Sequence, residues 1–145
     1  MTIQDHDLFD NINLKRGLSP VAATTDNTAY VSQILDMQGL SGAVFAILTG
    51  SLADADATFA VTVDEGDAAN LSDAASVNTN DLLGTLALAS FTFAADDSCF
   101  KIGVRASGKR YKRVTITPSN NTGNAFINGV WITAPLLVPA PNPPA

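Results

Sequence analysis

From Thr28 onward, short runs of apolar and polar residues alternate between clusters of Gly, Asn, Asp and Ser. The cleanest is TFAVTVDEGD, in which Phe59, Val61 and Val63 share one parity while Thr58, Ala60 and Thr62 share the other. That period of two is the pattern of a half-buried strand. TAYVSQILDMQ sets Tyr30, Ser32 and Ile34 against Val31, Gln33 and Leu35. GAVFAILTG is apolar on both parities, which predicts a central strand buried on both faces. ALASFTFA, CFKIGVRA, RYKRVTITP and NAFINGVWITA add further strands, parted by ADDS, SGK and SNNTG. These turn clusters hold residues that tolerate positive φ or bond their own backbone. The stretch AANLSDAASVNTNDLLGT reads as a long connection with room for a helical turn. About seven or eight antiparallel strands are expected, which predicts an all-β, two-sheet antiparallel sandwich, jelly-roll-like or immunoglobulin-like.

Both ends depart from this pattern. Residues 1–27 hold few apolar positions and end in SPVAATTDN, so an N-terminal arm is expected, with one short strand near Asn11 to Leu14. The sandwich domain is placed at 28–133. Residues 134–145 form a C-terminal arm rich in proline, which cannot continue a central strand and favours extended backbone. Leu136, Leu137 and Val138 give that arm an apolar cluster to bury on a neighbour.

Composition supports the β reading. Of 145 residues, 46% are hydrophobic and only 15% charged, and the Lys and Glu that favour surface helices are scarce. The acidic start, MTIQDHDLFDN, lacks a signal peptide's apolar stretch, and the run around AVFAIL is too short to span a bilayer. A soluble protein made in the cytoplasm is expected, with no membrane partner.

Candidate chemistry is sparse. One His (His6) and one Cys (Cys99) cannot assemble a zinc cluster, an internal disulfide or a nucleophile–imidazole pair. Cys99, beside Phe100, is expected to be a small buried apolar residue. DADAT and DEGD offer oxygen ligands, but Phe59 stands where a calcium loop needs glycine. Glu65 is expected in an exposed turn, and a paired-carboxylate glycosidase site has no buried candidates. Neither enzymatic activity nor any cofactor or metal is expected.

Charge separates along the chain. All fourteen acids lie at or before Asp97, where the bases are Lys15 and Arg16; six bases and no acid follow, leaving a net charge of -6. CFKIGVRASGKRYKRVTIT reads as a β-hairpin turning at ASGK. Ile102 and Val104, with Val114 and Ile116, take its core parity, which gathers Lys101, Arg105, Lys109 and Arg113, with Tyr111, on one exposed face. Such a face serves as a solvated edge, as a dock for an anionic protein surface, or as a nucleic-acid site. The acidic body and the single aromatic argue against nucleic acid.

The blocks from VSQILDMQG through AILTGSLADADATFAVTVDEGD, ASFTFAADD and KIGVRASGKRYKRVTITPSNNTGNAFINGVWI resemble the decoration, cement or auxiliary head proteins of tailed bacteriophages. The likeness covers roughly Tyr30 to Thr133 and is strongest in KRYKRVTITPSNNTGNA. It implies a sandwich that sits on the capsid exterior across capsomer junctions and stiffens the shell. The implied partners are the major capsid protein and further copies of itself, as dimers or trimers at symmetry axes. Two alternatives stand beside it: another phage structural part, such as a head–tail joining or tail protein, and a carbohydrate-binding sandwich module.

Overall fold

The computed structural model describes residues 8–19 and 21–136. In chain order these form the short helix α1 (Leu8–Asn11) and strands β1 (Asn13–Leu18), β2 (Tyr30–Val31), β3 (Leu35–Asp36), β4 (Leu40–Leu52), β5 (Thr58–Gly66) and β6 (Ala75–Ser76). A 3-10 turn at Thr79–Asp81 leads to β7 (Leu82–Leu83) and helix α2 (Leu86–Ala89). Strands β8 (Phe91–Thr92), β9 (Cys99–Arg105), β10 (Tyr111–Ser119) and β11 (Ala125–Pro135) complete the order. One sheet runs β1-β11-β4-β9-β7; the other runs β2-β10-β5-β6, with β3 pairing β10 and β8 pairing β5. All pairings are antiparallel, and the successive strands β4, β5, β9, β10 and β11 fall in alternate sheets. This is the expected jelly-roll-like sandwich.

Its core is the meeting of two inner parities. Phe45, Ile47, Ile102, Val104 and Trp131 come from the five-stranded sheet, and Phe59, Val61, Val63, Val114 and Ile116 from the other. Each such side chain contributes about 1.5–3 kcal/mol by leaving water. Phe45 meets Trp131 edge-on at 4.9 Å between ring centroids, while Phe91 stacks between Phe59 and Phe100 at 5.0 Å from each. Gly17 and Gly129 lie flat on the Phe45 ring: a Cβ would come within 2.3 Å of it at the first and 2.5 Å at the second.

Several sequence expectations are revised. The segment ALASFTFA is mostly not a strand. Thr85 Oγ1 accepts from the Leu88 N–H at 3.2 Å, and the Ala and Leu residues behind this cap favour the one-turn α2. Strand β4 is central, yet only one of its faces is buried: Ala43, Phe45 and Ile47 point inward while Val44, Ala46 and Leu48 point outward. Before residue 28 the strand lies at Asn13–Leu18 rather than Asn11 to Leu14, and it pairs with β11 as the edge of the five-stranded sheet. Residues 24–27 are tied down as well, through the Thr24–Ala125 backbone bridge and the Asn121 N–H donating to Asn27 Oδ1 at 2.8 Å. Cys99 is exposed rather than buried.

Candidate functional site

The basic segment does not form a hairpin. Strand β9 pairs with β4 and β7 in one sheet, whereas β10 pairs with β5, β2 and β3 in the other. Residues 106–110 therefore cross between layers, and Lys101, Arg105, Lys109 and Arg113 are not brought onto one face. The core parity itself holds, since Ile102, Val104, Val114 and Ile116 are all fully buried.

The crossing delivers four consecutive cations to acids from the first part of the chain. Lys109 Nζ stands 3.6 Å from Asp73 and 3.8 Å from Asp67. Arg110 makes a two-pronged contact with Asp36, Nε to Oδ1 at 2.8 Å and a terminal nitrogen to Oδ2 at 2.7 Å, and its guanidinium lies 5.0 Å from the centroid of the half-buried Tyr111. Arg113 reaches Asp64 at 3.4 Å. Bonding to Arg110 holds Asp36 below the usual carboxylate range.

The fourth pair is buried. Lys112 shares parity with Val114 and Ile116, and its side chain is 0% exposed. Its Nζ donates to Glu65 Oε2 at 2.5 Å and to the Ser107 carbonyl at 3.1 Å. Glu65 is buried in β5, not in an exposed turn, and it also accepts from the Lys109 N–H at 3.0 Å. Gly108, at φ +80°, passes over this pair, and a Cβ there would stand 2.6 Å from the carboxylate. The crossover is thus stapled to β5 by an ion pair that sequence reasoning missed. Its signal was a lysine on the inward parity of a strand.

The two outer sheet faces differ sharply. On the six-stranded sheet, Thr62 stands opposite Thr115, Ala60 opposite Thr117, Thr58 opposite Ser119, and Asp64 opposite Arg113. Apart from Ala60 and the exposed Val31 at its edge, that face is polar and its charges are paired. Across the five-stranded sheet runs an unbroken apolar row: Leu14 opposite Ile132, Ile132 opposite Val44, Val44 opposite Gly103, and Gly103 opposite Leu83. The next row is Arg16, Val130, Ala46 and Lys101, followed by Asn128, Leu48 and Cys99. Leu14, Leu48, Leu83 and Phe126 are 41–47% exposed there. The charged residues these strands send outward are Arg16, Lys101 and Arg105. None is acidic.

Over Gly103 this face carries a groove of about 490 Å³, walled by Val44, Leu83 and Leu88 with Lys101 at its rim. The C-terminal arm does not begin at 134, since β11 continues through Ala134 and Pro135 beside β4, with the register shifting between them. Of the apolar cluster, Leu136 is 65% exposed and donates its N–H to the Gly39 carbonyl at 2.9 Å. Leu137 and Val138 lie outside the described residues, as does His6.

The acidic motifs have local structural partners. Asp54 accepts from the Thr122 N–H at 2.6 Å and the Thr122 hydroxyl at 2.7 Å. These bonds, led by the hydroxyl, hold its carboxyl well below the usual range, and the Asp54 carboxylate in turn raises neighbouring Asp56. Asp73 accepts from the N–H groups of Asp67 and Ala68 at 2.8 and 3.1 Å, which lowers its pKa too. Among the described residues, no three or more His, Cys, Asp or Glu residues are placed to hold a metal ion. Trp131 is 1% exposed, so its ring is not offered to a sugar. No helix of the described residues is long and apolar enough to cross a membrane.

No family model matches the sequence, and no curated protein does. Among solved structures, the chain is similar to the PBSX exported protein XepA, with a TM-score of 0.52 and 13% identity over 92% of this chain and 40% of that one. At that identity the likeness is one of fold, and this chain spans well under half of XepA's length. Weaker likenesses reach the CBM22-1–GH10 modules of a Clostridium thermocellum xylanase (TM-score 0.42, 11% identity, 87% of this chain and 26% of that one). A xylan-binding module, CBM15, gives a TM-score of 0.41 at 12% identity over 88% of this chain and 93% of that one.

Proposed function

We propose that this chain is a non-catalytic structural protein of a phage particle, binding the capsid exterior across capsomer junctions and stabilising the shell. The observation that carries the reading is the bare apolar face of the five-stranded sheet. A strand whose sequence is apolar on both sides lies at the centre of a sheet with only one side covered, and contiguous apolar surface of that kind marks an interaction site. Further support comes from the sequence resemblance to capsid decoration proteins and from the fold shared with a PBSX exported protein. Partners on this reading are the major capsid protein and neighbouring copies of the chain.

The mechanism is additive. One contact of modest strength, repeated over a lattice, gains from the effective concentration that neighbouring contacts supply. Shell subunits then separate only by breaking those contacts as well. The test is to mix the purified chain with undecorated capsids of the phage that carries it and to image the particles. Regular density over the outer lattice is the expected result. Density at a single vertex would make the chain a joining or tail protein, and retention on a glycan column without particle binding would make it a carbohydrate-binding module.

A further inference from the structure

We infer that the outer face of the five-stranded sheet is the docking surface, and that its occupant is a different protein presenting an apolar side chain flanked by carboxylates. This rests on the capsid-binding reading and names the part of the molecule that performs it.

The apolar row supplies the contact area. It crosses all five strands without a polar interruption, from Leu14 on one edge to Leu83 on the other. The groove over Gly103 supplies an anchor point, because binding energy concentrates where one side chain fills a desolvated pocket. Its floor requires glycine: a Cβ at residue 103 would meet Leu83 Cβ at 2.7 Å, displacing the wall.

Charge selects the occupant. Of the eight bases in the chain, Lys109, Arg110, Lys112 and Arg113 are consumed by internal ion pairs, and Lys15 stands opposite Trp131, off the parity of the apolar row. Arg16, Lys101 and Arg105 point outward around the apolar row, unaccompanied by any acid from those strands. Two copies packed face to face would place these cations against one another, and like-charge contact of that kind is what excludes wrong partners. Nucleic acid fits poorly as well: the one aromatic in the groove wall, Phe100, is half-buried and already stacked on Phe91, so it is not free to stack a base. An apolar protein surface with acidic flanks satisfies both features.

Co-sedimentation with undecorated capsids tests the inference. Val44→Asp, and separately the exposed pair Lys101→Glu with Arg105→Glu, should each weaken binding about tenfold or more, the scale of losing one good contact. The charge-reversed pair should also flatten the salt dependence of binding. Thr117→Asp, on the opposite sheet, should leave affinity within about twofold, near the neutral range for surface changes. Circular dichroism melts establish that each variant is folded, and the exposed charge pair keeps the test decisive if Val44→Asp is not. If the parent binds and the folded face variants bind equally well, the docking face is wrong while capsid binding stands. A parent that does not sediment with capsids overturns the capsid reading and this inference with it. Sedimentation velocity showing a free dimer that Val44→Asp dissociates would make a second copy the occupant, which also overturns it.

Discussion

The two sheets of this sandwich share a core but dispose of their outer faces in opposite ways. The six-stranded sheet turns threonines outward and pairs its charges, Asp64 with Arg113 and Asp36 with Arg110. The five-stranded sheet leaves aliphatic side chains bare and its outward cations without acids on the same strands. The separation of charge along the sequence is therefore divided in space. Four of the eight bases hold the fold together, as acids on β3, β5 and the following loop meet Lys109, Arg110, Lys112 and Arg113 on the crossover and β10. Three more, Arg16, Lys101 and Arg105, ring one apolar face. A charge-segregated sequence read as a pure interaction signal overlooks the first use, and a paired lattice read alone overlooks the second.

The largest effect should come from breaking the buried end of the paired set. Lys112→Met leaves Glu65 buried without its cation, and removing one member of such a pair costs about 3–5 kcal/mol. Urea titration should show the midpoint falling steeply, with much of the loss recovered when Glu65→Leu is added. A Lys112→Met loss under about 1 kcal/mol would mean that the crossover does not depend on this staple.

Acid should act next, on the paired acids and loop carboxylates. Asp36, Asp54 and Asp73 are shifted below their ordinary value of 3.8 by hydrogen bonds in the fold. Their contribution is complete above that value and is lost as pH falls through it toward their lower folded pKa values. Stability measured from pH 7 downward should hold steady with respect to these groups to about pH 5 and then decline below about pH 4. Asp36→Asn should shrink that decline, whereas Lys101→Glu should leave it in place. A decline unaffected by Asp36→Asn would detach the Arg110 pair from acid sensitivity.

Smallest of all should be the stability cost of changing the bare face. Lys101→Glu with Arg105→Glu should shift unfolding free energy by no more than about 0.5 kcal/mol per site, the usual range for exposed positions. Arg113→Ala, which breaks a half-exposed pair, should cost slightly more, up to about 1 kcal/mol. Reversal of that order would place Lys101 or Arg105 in the folding lattice.

The fold was legible where the alternation was strict. Phe59, Val61 and Val63, like Val114 and Ile116, point inward as their parity requires. Strand pairing was less so, because SGK between two apolar runs looks alike whether the chain turns back in one sheet or crosses to the other. The contacts that accompany the crossing, Lys112 with Glu65 and Arg110 with Asp36, join residues 47 and 74 positions apart. Strand β1 was poorly legible since NLKRGL carries little apolar alternation; Gly17 fits there because its bare backbone packs on Phe45. The docking face is written in GAVFAILTG, whose second apolar parity reads as double burial. No second layer covers Val44, Ala46 and Leu48 in the described chain, and their exposure is a surface property that alternation cannot distinguish from a buried one.

Cys99 offers the most direct test of the central claim. It is the chain's one cysteine, it is exposed, and it stands opposite Leu48 on the apolar face. Its rate of reaction with a maleimide should be measured in the free protein and on decorated capsids, beside a Cys99→Ser variant carrying Ser119→Cys on the opposite sheet. The account predicts that capsid binding slows labelling at residue 99 by about tenfold or more while residue 119 reacts at its free rate, since a buried interface core excludes solvent. Unchanged labelling at residue 99 on capsids, with protection at residue 119, would contradict it.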